Sequence, residues 1–326
     1  MKKNICFFIV LLVMASCGKQ EKFSVSAEES MKVKIPKFIA DSAYSFVEKQ
    51  VSFGPRVPNT KAHQMCGDYL VAELTRFGIQ VTEQKADVKT YNNTILHSRN
   101  IIGSINPDSK NRVLLCAHWD CRPYSDNDKD SKNYLTPVQG ANDGASGVGV
   151  LLELARLMQK DSVKIGVDII FLDAEDYGRP QFDSTSTQED DSYCLGTQYW
   201  AKNPHKQGYK AKYGILLDMV GGKNPTFLKE SFSESYAADV VEKVWQTAND
   251  LGYGNYFVNT QGSPIIDDHY YINKLAGIPC IDIIHYDNQL GFPPTWHTIN
   301  DTMENIDKNT LKVVGDVITT VVYQEK

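Results

Sequence analysis

The chain has 326 residues, 42% hydrophobic and 23% charged, an ordinary globular composition that excludes disorder, collagen-like repetition and a multi-span membrane protein. Lys and Arg number 34 against 40 Asp and Glu, a formal charge of −6, the wrong sign for a nucleic-acid partner. The length suits one large α/β domain or two small ones, and either buries a full core.

Met1–Ser16 reads as an export signal, with Lys2 and Lys3 ahead of the unbroken apolar run Ile5–Met14. That run is too short to cross a bilayer, which takes about 20 residues. It ends in Met14-Ala15-Ser16-Cys17, which resembles the lipobox of bacterial lipoproteins, so Cys17 is the expected lipidation site. Plain secretion, with Cys17 incidental, is the alternative. Residues 17–35 then form a lipidated cysteine and polar tether, and residues 36–326 a single catalytic domain. The expected location is a bacterial cell envelope, with the protein held at the membrane by its lipid, as a monomer.

Ala40–Val51 reads as a helix. Arg112–Ala117, Gly166–Leu172, Gly214–Val220 and Ile278–Ile284 are near-continuous apolar runs of strand length. Ser146–Gln159, Phe232–Leu251 and Thr310–Tyr323 carry a helical period. Such alternation predicts an α/β fold, a mixed, mostly parallel twisted sheet with helices on both faces. Two long polar segments, Cys121–Pro137 and Gly178–Asp191, interrupt it, and loops of that size are usually functional or disordered. Cys66, Cys116, Cys121, Cys194 and Cys280 lack zinc-finger spacing and read as small buried hydrophobes, with one disulfide of undeducible pairing open.

Polar residues gather where these strands end. His118-Trp119-Asp120 follows the first strand, Asn142-Asp143-Gly144 opens a helix, and Asp173-Ala174-Glu175-Asp176 follows the next strand. Asp218 lies inside an apolar strand, and Trp296-His297-Thr298 follows Phe292-Pro293-Pro294. Ligands of open α/β sheets bind outside the carboxyl ends of strands, so these side chains are expected to converge. Carboxylates meeting in a crevice repel unless a cation sits between them. Carboxylate and imidazole donors without cysteine suit zinc, with Asp143, Asp176 and His297 as three ligands and one position open. Glu175, adjacent to Asp176 but pointing elsewhere, is free to move protons.

In this order the residues from about Asn100 to Asp307 resemble the zinc aminopeptidase-like family, whose pattern is His-x-Asp, Asp, Glu-Glu/Asp, Asp, His. The resemblance implies that Asp143 bridges two metals in two-zinc members, that Asp176 and His297 hold the first, and that His118 and Asp218 would hold a second. It also implies that Glu175 is the general acid/base and that Asp120 orients His118.

Within that family four stretches resemble the animal-type (type II) zinc-dependent glutaminyl cyclases. These are the insertion between Glu175-Asp176 and Asp191–Gly196, Leu216–Pro225 (LLDMVGGKNP), Asp267-Asp268-His269, and Phe292-Pro293-Pro294-Thr295-Trp296-His297-Thr298. The resemblance implies a glutaminyl-peptide cyclotransferase that turns the N-terminal glutamine of peptides or proteins into pyroglutamate, with one zinc and no excluded second. Glu175, Asp218 and Asp267 would be catalytic, and Phe292 and Trp296 would wall the glutamine pocket. The animal enzymes have a histidine where this chain has Asp282, a glutamate where it has the ligand Asp176, and a second pocket tryptophan for which Phe182 and Trp200 are the candidates here. A zinc aminopeptidase that removes N-terminal residues is the alternative. Trp119, and the histidines at 63, 97, 205, 269 and 285, are expected to pack or face solvent.

Overall fold

Four buried segments align as the parallel part of one six-stranded sheet in the computed structural model, which describes residues 33–184 and 191–326. The export signal, Cys17, nearly all of the tether and the middle of the Gly178–Asp191 segment lie outside the described residues. The strands are β1 (Gln80–Lys89), β2 (Ile95–Ile105), β3 (Arg112–His118), β4 (Gly166–Leu172), β5 (Gly214–Asp218), β6 (Phe227–Lys229), β7 (Phe257–Gln261) and β8 (Cys280–Ile284). Their order in the main sheet is β1-β2-β4-β3-β5-β8, with β6 and β7 a separate parallel pair. β4, β3, β5 and β8 run parallel, whereas β1 and β2 add antiparallel to one edge. The expected mixed, mostly parallel sheet is present.

The helices are α1 (Ala40–Val51), α2 (Lys61–Arg76), α3 (Ala145–Lys160), α4 (Leu195–Lys202), α5 (Ser231–Asp250), α6 (Asp268–Tyr271) and α7 (Lys308–Gln324). Side chains alternate across a strand, so β3 sends Val113, Leu115 and Ala117 into the core shared with α1, α3 and α7, and Leu114 and Cys116 into the core under Trp200 of α4. Both faces are therefore apolar, which explains unbroken runs in place of alternation. Truncating one of these leucines to alanine costs about 2–5 kcal/mol.

Helix α3 packs closely because its first turn is small. A β-carbon at Gly147 would collide with the carbonyl of Leu217 in β5, and one at Gly149 with α1 at Val47. The strands expected to end at Val220 and begin at Ile278 are shorter at those ends. Met219 turns to φ 48°, which stops β5 at Asp218. Pro279 has no N–H to give the ladder, so β8 opens at Cys280. All five cysteines named above are free and buried, so no disulfide forms among them. No described helix is long and apolar enough to cross a membrane.

Candidate active site

β3 leads through α3 to β4 on one side of it, and the chain then crosses to β5 on the other. A crevice opens where successive connections diverge, outside the carboxyl ends of those strands. His118 is the last residue of β3 and Asp218 the last of β5, while Glu175 and Asp176 follow β4. Asp143 precedes α3 across a cis peptide to Gly144, where a β-carbon would collide with the His118 imidazole.

Asp143, Asp176 and His297 converge, each buried, with one donor atom from each within 4.8 Å of the others. His297 Nε2 lies 3.2 Å from Asp176 Oδ1 and 3.6 Å from Asp143 Oδ2. Asp176 Oδ2 is buried with no hydrogen-bond partner among the described residues, a cost that a cation removes. Two carboxylates and an imidazole facing one point are a donor set that fits zinc. A second trio, His118, Asp143 and Asp218, meets the same spacing, with His118 Nε2 3.0 Å from Asp143 Oδ1 and 3.3 Å from Asp218 Oδ1.

A cavity of about 520 Å³ opens over this cluster, lined by Asp143, Glu175, Asp176, Asp218, Asp267, Phe292, Trp296 and His297. The residues expected at the metal and the substrate thus share one cavity, except His118, which is buried and not among its lining, as is Asp120. Trp296 stacks on His297 at 3.8 Å between ring centroids, and Phe292 on Trp296 at 4.3 Å. Both are half-buried wall, not core. Phe182 and Trp200, the candidates for a second pocket aromatic, are elsewhere: Phe182 stacks on Tyr134, and Trp200 is buried against His205 and Tyr209. The other aromatic side chains on the cavity are Tyr193, Tyr271 and Tyr286.

Burial sets the electrostatics. It pushes the Glu175 carboxyl well above its ordinary range, with Asp176, Asp267 and Asp268 adding to the push. It raises Asp218 to about 7, helped by Asp143 and Asp267 and opposed by the hydrogen bond from His118. Asp143 resists its own burial and is held low by the hydrogen bond to His118 and by the charge of His297. A cation among these groups lowers the raised carboxyls again.

Asp120 and residues that sequence reasoning passed over, Asp301, Asp126 and Arg122, hold this cluster in place. Asp301 accepts the N–H groups of Asn142 (2.8 Å) and Asp143 (3.1 Å). Asp120, expected to orient His118, stands 3.5 Å from His118 Nδ1 and also accepts the N–H groups of Glu175 (3.1 Å) and Asp176 (3.3 Å). Asp126 faces His297 Nδ1 at 3.6 Å and is gripped by both arms of Arg122, which also reaches Asp176. Carboxylates of this kind orient metal ligands. The only sequence signal for Asp301 was proximity to a ligand, four residues after His297. Left-handed backbone marks the same place. Among the described non-glycine residues with positive φ, four are Asn, which tolerates it, and the others are Ala174, Cys194, Met219 and His297, all at the site.

The profile of peptidase family M28 matches residues 100–322, and the chain belongs to that family. It is similar to the crystal structure of Bacteroides thetaiotaomicron glutaminyl cyclase bound to N-acetylhistamine, at 58% identity, a TM-score of 0.88, and coverage of 90% of this chain and 100% of that one. It is similar to a Zn-dependent exopeptidase from Parabacteroides distasonis at 57% identity and a TM-score of 0.87, covering 89% of this chain and 100% of that one. The glutaminyl-peptide cyclotransferase of Bothrops jararaca is 28% identical over 251 residues, 69% of this chain and 65% of that protein. The chain therefore spans just under two thirds of the length of the first curated relatives it matches.

Proposed function

We propose that the protein is a zinc-dependent glutaminyl-peptide cyclotransferase acting on peptides or proteins with N-terminal glutamine. The observation that carries this reading is the Phe292–Trp296–His297 stack, which puts an aromatic wall directly on a residue of the metal trio, in the cavity that Glu175 also lines. Such a wall suits one flat amide side chain, held so that its own α-amine reaches the γ-carbon. Bringing two groups of one molecule into contact in this way supplies much of the acceleration of an intramolecular reaction.

Asp143, Asp176 and His297 would hold one zinc ion. The chemistry zinc supplies when bound there is Lewis-acid polarisation of a carbonyl oxygen. Glu175 takes a proton from the attacking amine as the bond from that nitrogen to the γ-carbon forms. It delivers the proton to the amide nitrogen as the old carbon–nitrogen bond breaks and ammonia leaves. Asp218 and Asp267 accept hydrogen bonds from the amine and the departing nitrogen. Phe292 and Trp296 keep water from the reacting carbon.

The alternative is an aminopeptidase with a second zinc at His118, Asp143 and Asp218, and it draws on the spacing of that trio. Incubation with peptides that begin with Gln and with Leu separates the two. The cyclase converts only the former, releasing ammonia, whereas an aminopeptidase shortens peptides. We further propose that Cys17 anchors the protein by lipid in a bacterial envelope and that the catalytic domain works as a monomer.

A further inference from the structure

Cys194 precedes α4, fully buried and in no disulfide. The sequence presents it as a small apolar filler, and its placement does not fit that role. Its backbone takes φ 55°, the left-handed region where a β-carbon is strained and glycine is not. It also stands at the cap of α4 without using its side chain there, whereas the residues that suit a cap accept an N–H of the first turn.

The N–H groups at the start of α4 are answered instead by the residues that follow β4. Cys194 donates to the carbonyl of Glu175 (2.8 Å), Leu195 to that of Ala174 (2.9 Å) and Gly196 to that of Asp173 (3.0 Å). Gly196 permits this approach, since a β-carbon there would collide with the Asp173 carbonyl. The three bonds set the Cys194 side chain beside that of Glu175, with Sγ 3.4 Å from Oε1. Among the described residues this is the only hydrogen bond to the Glu175 carboxylate, and His118 Nδ1 faces Oε2 at 3.9 Å, beyond hydrogen-bond reach. Burial pushes the thiol well above its ordinary value, with Asp268, Glu175 and Asp267 adding to the push, so the sulfur keeps its hydrogen and donates.

We infer that Cys194 is a positioning residue, whose thiol donates to Glu175 Oε1 and holds that carboxylate in one rotamer at the cavity. A glutamate side chain turns about several bonds, and a proton carrier out of line by an ångström is costly to the reaction. No bond is made or broken in this arrangement, and the thiol hydrogen stays on sulfur. The inference rests on the reading of Glu175 as the proton carrier of the cyclase.

A filler and a donor predict opposite orders of two variants. For a filler, Cys194→Ala is mild and Cys194→Ser, which buries a hydroxyl, is the worse. For a donor, Ser keeps the hydrogen bond and Ala loses it. In zinc-loaded protein with a Gln-initiated peptide, Cys194→Ala should lose about tenfold in kcat at unchanged KM and zinc content. Cys194→Ser should stay within about threefold of the parent, since one hydrogen bond replaces another. Cys194→Gly, which relieves the backbone and also lacks the donor, should lose as much as Ala, so the comparison stands even where Ala folds poorly.

Infrared difference spectra of the parent against Cys194→Ala identify the S–H stretching band of this thiol. In Glu175→Gln, whose neutral amide oxygen is the weaker acceptor, that band should move to higher frequency. Parent-like kcat in the Ala and Gly variants, or a Ser variant slower than Ala, would overturn the inference, as would a band that does not move. A parent that makes no pyroglutamate would refute the cyclase reading, and the infrared shift would still decide whether the thiol holds Glu175.

Discussion

The imidazole of His297 lies almost parallel to the indole of Trp296, 3.8 Å between centroids and 24° between planes. One side chain thus serves the pocket wall and braces a residue of the metal trio. His297 takes φ 53°, a strained conformation for a β-substituted residue that its surroundings must hold. The stack supplies one restraint and Asp126, facing Nδ1, another.

Trp296→Ala should therefore weaken two properties together. KM for a Gln-initiated peptide should rise at least about tenfold, from loss of an aromatic contact and its buried area. Zinc should dissociate more readily in a chelator competition, while Trp296→Phe restores most of both. Unchanged KM in the Ala variant would show that the wall does not touch substrate.

Glu175→Gln keeps the shape and cannot carry a proton. Zinc content should stay at the parent level while kcat falls about 10²–10⁴-fold, the typical contribution of a positioned acid/base. Turnover within a few-fold of the parent would place the proton shuttle elsewhere.

Asp301→Ala leaves the N–H groups of Asn142 and Asp143 without their acceptor. Asp143 is then free to turn, and zinc affinity should fall about 10–100-fold, as for other groups that orient a ligand. The check is a zinc titration against a chelator, with the melting temperature of the metal-free protein as control. Parent-like affinity would remove Asp301 from the account.

Glu230 gives a pH dependence with a definite sign. Against its burial, hydrogen bonds from His269 and from the N–H groups of Phe232 and Ser233 hold its folded value at about 2, below the ordinary 4.5. It therefore adds stability that is complete above 4.5 and is lost as pH falls towards 2. The stake is on the order of 3 kcal/mol. Melting curves between pH 6 and about 3 should fall more steeply for the parent than for Glu230→Gln, whose side chain does not titrate. Parallel curves would contradict the depressed value.

The legible part of this protein was the part fixed by residue type. Continuous apolar runs located β3, β4, β5 and β8 because both faces of those strands are buried. The exposed edge strand β1 and helix α2 were not read, since β1 has a single buried residue and carries no comparable run. Asp143, Glu175, Asp176, Asp218 and His297 were readable from order and strand-end position, and Asp267, Phe292 and Trp296 from the resemblance to the glutaminyl cyclases; all of them share the cavity. Asp301, Asp126 and Arg122 were not, because accepting a backbone N–H or gripping a neighbour needs a fold to bring the partner near. Phe182 lies in the insertion and Trp200 soon after it, yet the cavity takes its remaining aromatics from Tyr193, Tyr271 and Tyr286.

The most direct test follows the oxygen atoms. Ring closure by the substrate's own amine adds no water, whereas peptide hydrolysis must. A Gln-initiated peptide incubated with the zinc-loaded protein in heavy-oxygen water should yield a full-length pyroglutamyl peptide lighter by one ammonia, with no label incorporated. Free glutamine with heavy oxygen in its carboxylate, released together with an unlabelled shortened peptide, would contradict the cyclase reading and establish a hydrolase.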